Sequence, residues 1–162
     1  MKPRVVRADD AYHISLYDVA FRYGVGSAES DGTLSMLEVK IPPKTLIKPH
    51  MHTLEDEYTL VLAGTVGACL GENTVEEIPA GSWLVKPRSI RHAMWNVFDE
   101  PARILEVVIP GGIERYFEQI GPVLMEHGPE WTQRYNELAA EFGLTIFDDW
   151  STELQARYGI KL

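Results

Sequence analysis

The chain has a single cysteine among its 162 residues. Cys69 therefore cannot form an internal disulfide or a CxxC zinc site, and it reads as a small core residue. Positive charge is also scarce, with 15 Lys and Arg against 24 Asp and Glu, a formal net charge of −9 at pH 7. Such a balance repels phosphate backbones and disfavours nucleic acid and anionic membranes as partners. Long apolar runs are missing: no stretch approaches the ~20 residues of a membrane span. Val5-Val6 is too short for a signal-peptide core, so the expected location is cytoplasmic. Repeats and low-complexity tracts are absent. What remains is a chain 45% hydrophobic and 10% aromatic, enough to bury a core without disulfide staples. Any metal chemistry must come from carboxylates and the five histidines.

Three textures follow one another. Tyr12, Ile14, Leu16 and Tyr17 suggest one or two short N-terminal strands, and Gly24 to Gly32 reads as a polar, glycine-rich loop. From Leu34 to Ile109, short β runs alternate with turns such as Pro42-Pro43, Gly71-Glu72-Asn73, Pro79-Ala80-Gly81 and Asp99-Glu100-Pro101. Regular turn spacing of this kind predicts an all-β sandwich or barrel. After Gly112 the period becomes helical. Ile113, Tyr116, Phe117 and Ile120 form one face that Gly121-Pro122 is expected to stop. Pro129-Glu130 opens a second helix with Trp131, Tyr135, Leu138, Ala139 and Phe142 on one side and Gly143 at its end. A third is expected from Ser151-Thr152 to Gly159. The predicted organisation is a β domain over 1–112 and a helical extension over 113–162.

Three histidines fall into one pattern. His50 and His52, at i and i+2, project from the same face of a strand. Thr53 to Asp56 is a polar turn, read as solvated, that can fold Glu57 back beside the two imidazoles. His92 follows a second turn, Lys86 to Arg91. Three imidazoles and a carboxylate suit one divalent first-row ion per chain (Fe, Mn, Ni, Co, Cu or Zn) and not calcium. His13 and His127 lie outside this pattern and read as strand-surface and loop residues.

Read in full, His50 to Gly64 fits HxHx4Ex6G, which resembles the first conserved motif of the cupin superfamily. Gly81, Pro87, His92 and Asn96 resemble the second motif, Gx5PxGx2Hx3N. Two positions depart from the pattern: Lys44 stands where the first motif begins with Gly, and Ser89 replaces the Gly after Pro87. The short Gly64–Gly81 interval is similar to that of small bacterial single-domain cupins, and the helical tail resembles that of quercetinase-like ones. The resemblance implies an antiparallel jelly-roll barrel with a metal inside, held by His50, His52, Glu57 and His92.

Strand parity nominates the substrate pocket. Thr59 and Val61 share the parity of Glu57, while Met94, Asn96 and Phe98 share that of His92. Trp95 and Val97 should point the other way, into a second layer. Lys48 shares parity with His50 and is a candidate for an anionic substrate group. Asn96 is expected to support structure rather than chemistry.

These readings converge on a metal-dependent enzyme acting on a small, possibly aromatic molecule; the resemblance to quercetinase-like cupins implies a dioxygenase, in which Glu57 is both ligand and proton acceptor. The alternatives are a non-oxidative isomerase, cyclase or lyase, and a non-catalytic small-molecule-binding cupin. The stripe Trp131, Tyr135, Leu138 and Phe142 either joins two copies in a homodimer or closes the barrel mouth within one chain.

Overall fold

A computed structural model of the protein describes residues 3–124 and 131–162. The β region runs β1 (Tyr12–Leu16), β2 (Val19–Val25), β3 (Ser35–Ile41), β4 (Thr45–His52) and β5 (Asp56–Ala63), with a short helix α1 (Ser27–Ser30) before β3. It continues as β6 (Thr65–Leu70), β7 (Asn73–Pro79), β8 (Trp83–Lys86), β9 (His92–Asn96) and β10 (Ala102–Ile109). Then come α2 (Glu114–Leu124), α3 (Trp131–Glu141), β11 (Leu144–Ile146) and α4 (Asp148–Tyr158).

The strands form two antiparallel sheets, ordered β1-β2-β3-β10-β5-β8 and β11-β4-β9-β6-β7. Facing one another, they make the expected jelly roll, although each sheet keeps its own edges and no closed cylinder forms. Alternation within strands places the core. Leu37, Val39 and Ile41 of β3 and Ile104 and Val108 of β10 turn inward, against Val66, Ala68, Ile78 and Met94 of the opposite sheet. Strand β9 is buried on both faces. Its Trp95 points outward, as parity predicted, into a second layer with Leu46, Trp150, Leu154 and Ile160. There the Trp95 ring stacks on Tyr158, with centroids 4.7 Å apart.

The helical region differs in its boundaries. Helix α2 runs through Gly121-Pro122 to Leu124. Pro122 removes one backbone bond in the last turn, but burial of Ile120 and Val123 against the core holds that turn in place. The predicted opening of the second helix at Pro129-Glu130 lies outside the described residues, as does His127. Helix α4 begins at Asp148, three residues before Ser151, and ends as expected at Gly159, whose N–H bonds the Gln155 carbonyl. No pattern announced β11. Its three residues pair with Met51 and the two histidines of β4, so tertiary contact alone decides that strand. The stripe on α3 is covered within the chain: Tyr135 and Ala139 belong to the main core, and Trp131, Leu138 and Phe142 pack on it.

Both departures from the cupin pattern occupy backbone that glycine would favour. Lys44 has φ +56° and Ser89 φ +63°. The turns therefore keep the shape that the motif's glycines normally allow, at a local cost of about 1–2 kcal/mol per residue.

Gly67 is fixed by close approach. A Cβ there would lie 2.2 Å from Trp95 Nε1, and Trp95 is fully buried. Gly67→Ala should therefore destabilise the fold by at least ~1–3 kcal/mol, read as a lower urea midpoint.

Candidate metal centre

His50 and His52 sit near the end of β4, in the five-stranded sheet. The β4–β9 register slips between Ile47, opposite Met94, and His50, opposite His92. This bulge at Lys48-Pro49 lets Ile47 and His50 both reach the interior although they lie three residues apart. Residues 53–55 then cross to the other sheet, where Glu57 faces inward near the start of β5. The site is thus assembled across the two sheets, with three imidazoles from one and the carboxylate from the other.

The four potential ligand atoms all lie within 4.8 Å of one another. His50 Nε2 is 3.1 Å from His92 Nε2. Glu57 Oε2 is 3.0 Å from His92 Nε2, and Glu57 Oε1 is 3.5 Å from His52 Nε2. The outer nitrogens fix the tautomers. His50 Nδ1 meets the Lys48 carbonyl at 2.6 Å, His92 Nδ1 the Ile90 carbonyl at 3.1 Å, and His52 Nδ1 the Glu55 carboxylate at 3.3 Å. Carbonyls and carboxylates only accept, so each Nδ1 carries a proton and donates it. The three Nε2 lone pairs are left facing the centre.

Two observations test whether a metal fits here. His52 Nε2 is buried and has no hydrogen-bond partner among the described residues, which is costly unless another partner completes it. Formal charge gives the second. Glu55, Glu57 and Glu106 are buried together with one ammonium, Lys86, so acidic groups outnumber basic ones and the cluster favours a cation. The residues fit a divalent ion.

Titration behaviour follows from the same contacts. Burial, then the neighbouring imidazoles, holds His50 well below the ordinary histidine range, and burial likewise lowers His92. Burial also pulls His52 down, but the Glu57 charge and the Glu55 bond outweigh it and raise its pKa. For Glu57 burial is overcome in the other direction: His52, Lys86 and His92 keep its carboxyl well below the usual range. Glu106 is raised by burial to about 7, despite Lys86 beside it.

The site lines part of a cavity of about 130 Å³. Its walls are mostly apolar, among them Val39, Ile104, Val108, Tyr116, Phe117 and Tyr135. Met94 and Lys48 are among the residues that line it. The Lys48 ammonium, however, pairs with Asp148 at 2.8 Å and lies over the Tyr135 ring, so it is not free for a substrate anion. The other nominated pocket residues are not wall residues. Thr59 is buried and donates to Glu106, and Val61 is packed in the core. Asn96 ties down backbone: its Nδ2 donates to the Ile41 and Glu100 carbonyls, and its Oδ1 accepts from the Phe98 N–H. Phe98 lies past the end of β9, where strand parity no longer applies.

Three participants were not legible as such. Glu55, read as part of a solvated turn, is buried and orients His52. Lys86 and Glu106 are inward-facing residues of β8 and β10, and a charged residue at inward parity was the available signal. Asp56 of the same turn is pinned by Arg88, whose backbone N–H and guanidinium both bond its carboxylate. That contact locks the loop before Glu57 to the loop before His92.

Residues 37–108 match the family model of the cupin domain. The β region carries a cupin domain. No curated protein matches it by sequence. Solved structures share its fold at low identity. KdgF from a Halomonas species is 13% identical, with a TM-score of 0.62 over 70% of this chain and 99% of that chain. A predicted oxalate decarboxylase from Thermotoga maritima is 22% identical, with a TM-score of 0.58 over 66% and 99%. The polyketide cyclase RemF from Streptomyces resistomycificus is 22% identical, with a TM-score of 0.58 over 67% and 80%. Among the described residues, no helix is long and apolar enough to cross a membrane.

Glu55→Ala should weaken Co(II) or Mn(II) binding about 10–100-fold by calorimetry, with the circular dichroism spectrum unchanged. In the wild type, binding should weaken on acidification from about neutrality downward, because the raised His52 pKa lets protons compete with the ion there.

Proposed function

We propose that this cupin is a metal-dependent enzyme acting on a small, apolar or aromatic organic substrate, with His50, His52, Glu57 and His92 as the metal ligands. The observation that carries this reading is the convergence of three imidazole Nε2 atoms and the Glu57 carboxylate beside a mostly apolar cavity. A bound divalent ion would supply Lewis acidity at its open coordination positions. The chain supplies the rest. Val39, Ile104 and Phe117 exclude water and favour a flat apolar body, while Met94 packs beside the ligands. Glu57 stays ionised beside Lys86, in the form that accepts a proton from the substrate.

The reaction we favour is a dioxygenation of the quercetinase-like kind. A non-oxidative isomerisation, cyclisation or lyase reaction is the second reading. The buried Lys86–Glu106 pair next to Glu57 favours it, since proton movement alone would then suffice. One structural neighbour bears the name of a polyketide cyclase, which agrees with that reading. Residues 1–112 act in this scheme as the cupin domain. The 113–162 extension closes the cavity through Tyr116, Phe117 and Tyr135.

We place the homodimer contact on the outer face of the six-stranded sheet rather than on α3. Trp83 and Val85 of edge strand β8 are 64% and 56% exposed, and Tyr58, Leu62 and Ile109 extend the apolar surface beside them. Trp83→Asp should convert a dimer to a monomer in light scattering, and a monomeric wild type would reject this contact.

Elemental analysis of tag-free protein should find about one transition-metal ion per chain, and His92→Ala should lose most of it along with turnover. Oxygen uptake on a flavonol panel supports dioxygenation, whereas product formed without oxygen uptake supports the second reading. Sub-stoichiometric metal after loading with every candidate ion would sink the enzyme reading altogether.

A further inference from the structure

The proposed metal set leaves one cation unexplained. Lys86 is directly opposite Glu57 in the β5–β8 register, and only 5% of it is exposed. Its Nζ lies 3.0 Å from Glu57 Oε2 and 3.0 Å from Glu106 Oε2. Glu106 is anchored in turn by Thr59 Oγ1, which donates to it at 2.9 Å from the adjacent strand. Thr59 is completely buried, so beyond Glu106 this chain of contacts ends inside the protein. Nor is it an efficient source of stability, because a buried ion pair loses much of its Coulombic gain to desolvation.

The contacts have a direct bearing on Glu57. A carboxylate has two oxygens, and an unrestrained one can bind a cation through either or both. Here Oε2 faces an ammonium that is itself held from behind by Glu106. We propose that Lys86 is a positioning residue: it restrains Glu57 so that the carboxylate offers a metal a single oxygen, which keeps a coordination position open for an exogenous ligand. The inference rests on the metal reading above and extends it to the outer contacts of the site. Glu106 and Thr59 serve by holding the ammonium against Oε2, and neither touches the ion.

Cobalt(II) loading with azide titration tests this without any substrate. Wild-type and Lys86→Met proteins are loaded with Co(II), their visible absorption is recorded, and azide is titrated as a small exogenous anion. Lys86→Met should still bind Co(II) stoichiometrically. Its visible bands should shift as Glu57 engages through both oxygens, and its azide affinity should fall at least ~10-fold, about 1.4 kcal/mol. Lys86→Met/Glu106→Gln leaves no uncompensated buried carboxylate at this pair and should behave alike, which covers the case that the single variant does not fold. In a Glu57→Gln background the amide has one oxygen to offer, so adding Lys86→Met should change neither readout. A purely structural role would instead disturb both backgrounds equally. Unchanged bands and azide affinity in Lys86→Met or in the double variant overturn the positioning role alone. A wild type that takes up no Co(II) overturns the metal reading and this inference together.

Discussion

Burying several charges at one point between two β sheets is the constraint on which the rest of this structure depends. Glu55, Glu57, Glu106 and Lys86 are all nearly solvent-free, alongside His52 and His92. A low-dielectric interior tolerates such a group only if each member is paired and the sum is balanced. The pairing is met locally: Glu55 to His52, Lys86 to Glu57 and Glu106, and Thr59 to Glu106. Acidic groups still outnumber the one ammonium, so the cluster favours a cation at the donor set.

Holding these groups in place explains features that would otherwise look incidental. The bulge at Lys48-Pro49 brings His50 opposite His92. The Arg88–Asp56 contact and the bond from Ser89 N–H to the His52 carbonyl, 2.6 Å, tie together the two loops that deliver the ligands. The short strand β11 pairs along both histidine positions of β4 and covers the edge they occupy. Each of these devices acts on backbone that carries a proposed ligand, so rigidity is concentrated where ligand geometry needs it.

The helical extension links fold to specificity. Its residues Tyr116, Phe117 and Tyr135 meet Val39, Ile104 and Val108 of the sheet to wall the cavity. The extension also claims Lys48, through Asp148 and the Tyr135 ring. A lysine that strand parity offered as a substrate anchor is thereby turned into a brace between strand and helices. Its charge is neutralised beside a mostly apolar wall. Met94 and Lys48 were reachable from parity, but most of the wall was not, because it is contributed by elements far apart in the chain.

By itself, the sequence determined what depends on local spacing. The i, i+2 histidines, the turn before Glu57, the alternating burial of the strands and the outward Trp95 all follow from the twofold period of extended chain, and all are found. The spacing also carried the family. Only the tertiary structure decided what depends on residues meeting across the two sheets. It made Glu55 an orienting group and not a solvated turn residue, and it joined Lys86 and Glu106 on separate strands beneath Glu57. It gave Thr59 a partner instead of a place in the cavity wall, and it created β11 and gathered the cavity wall from distant elements. A side chain's parity is set by its neighbours in sequence, but its partners are set by packing, and no periodicity records which inward-facing charges will share one buried space.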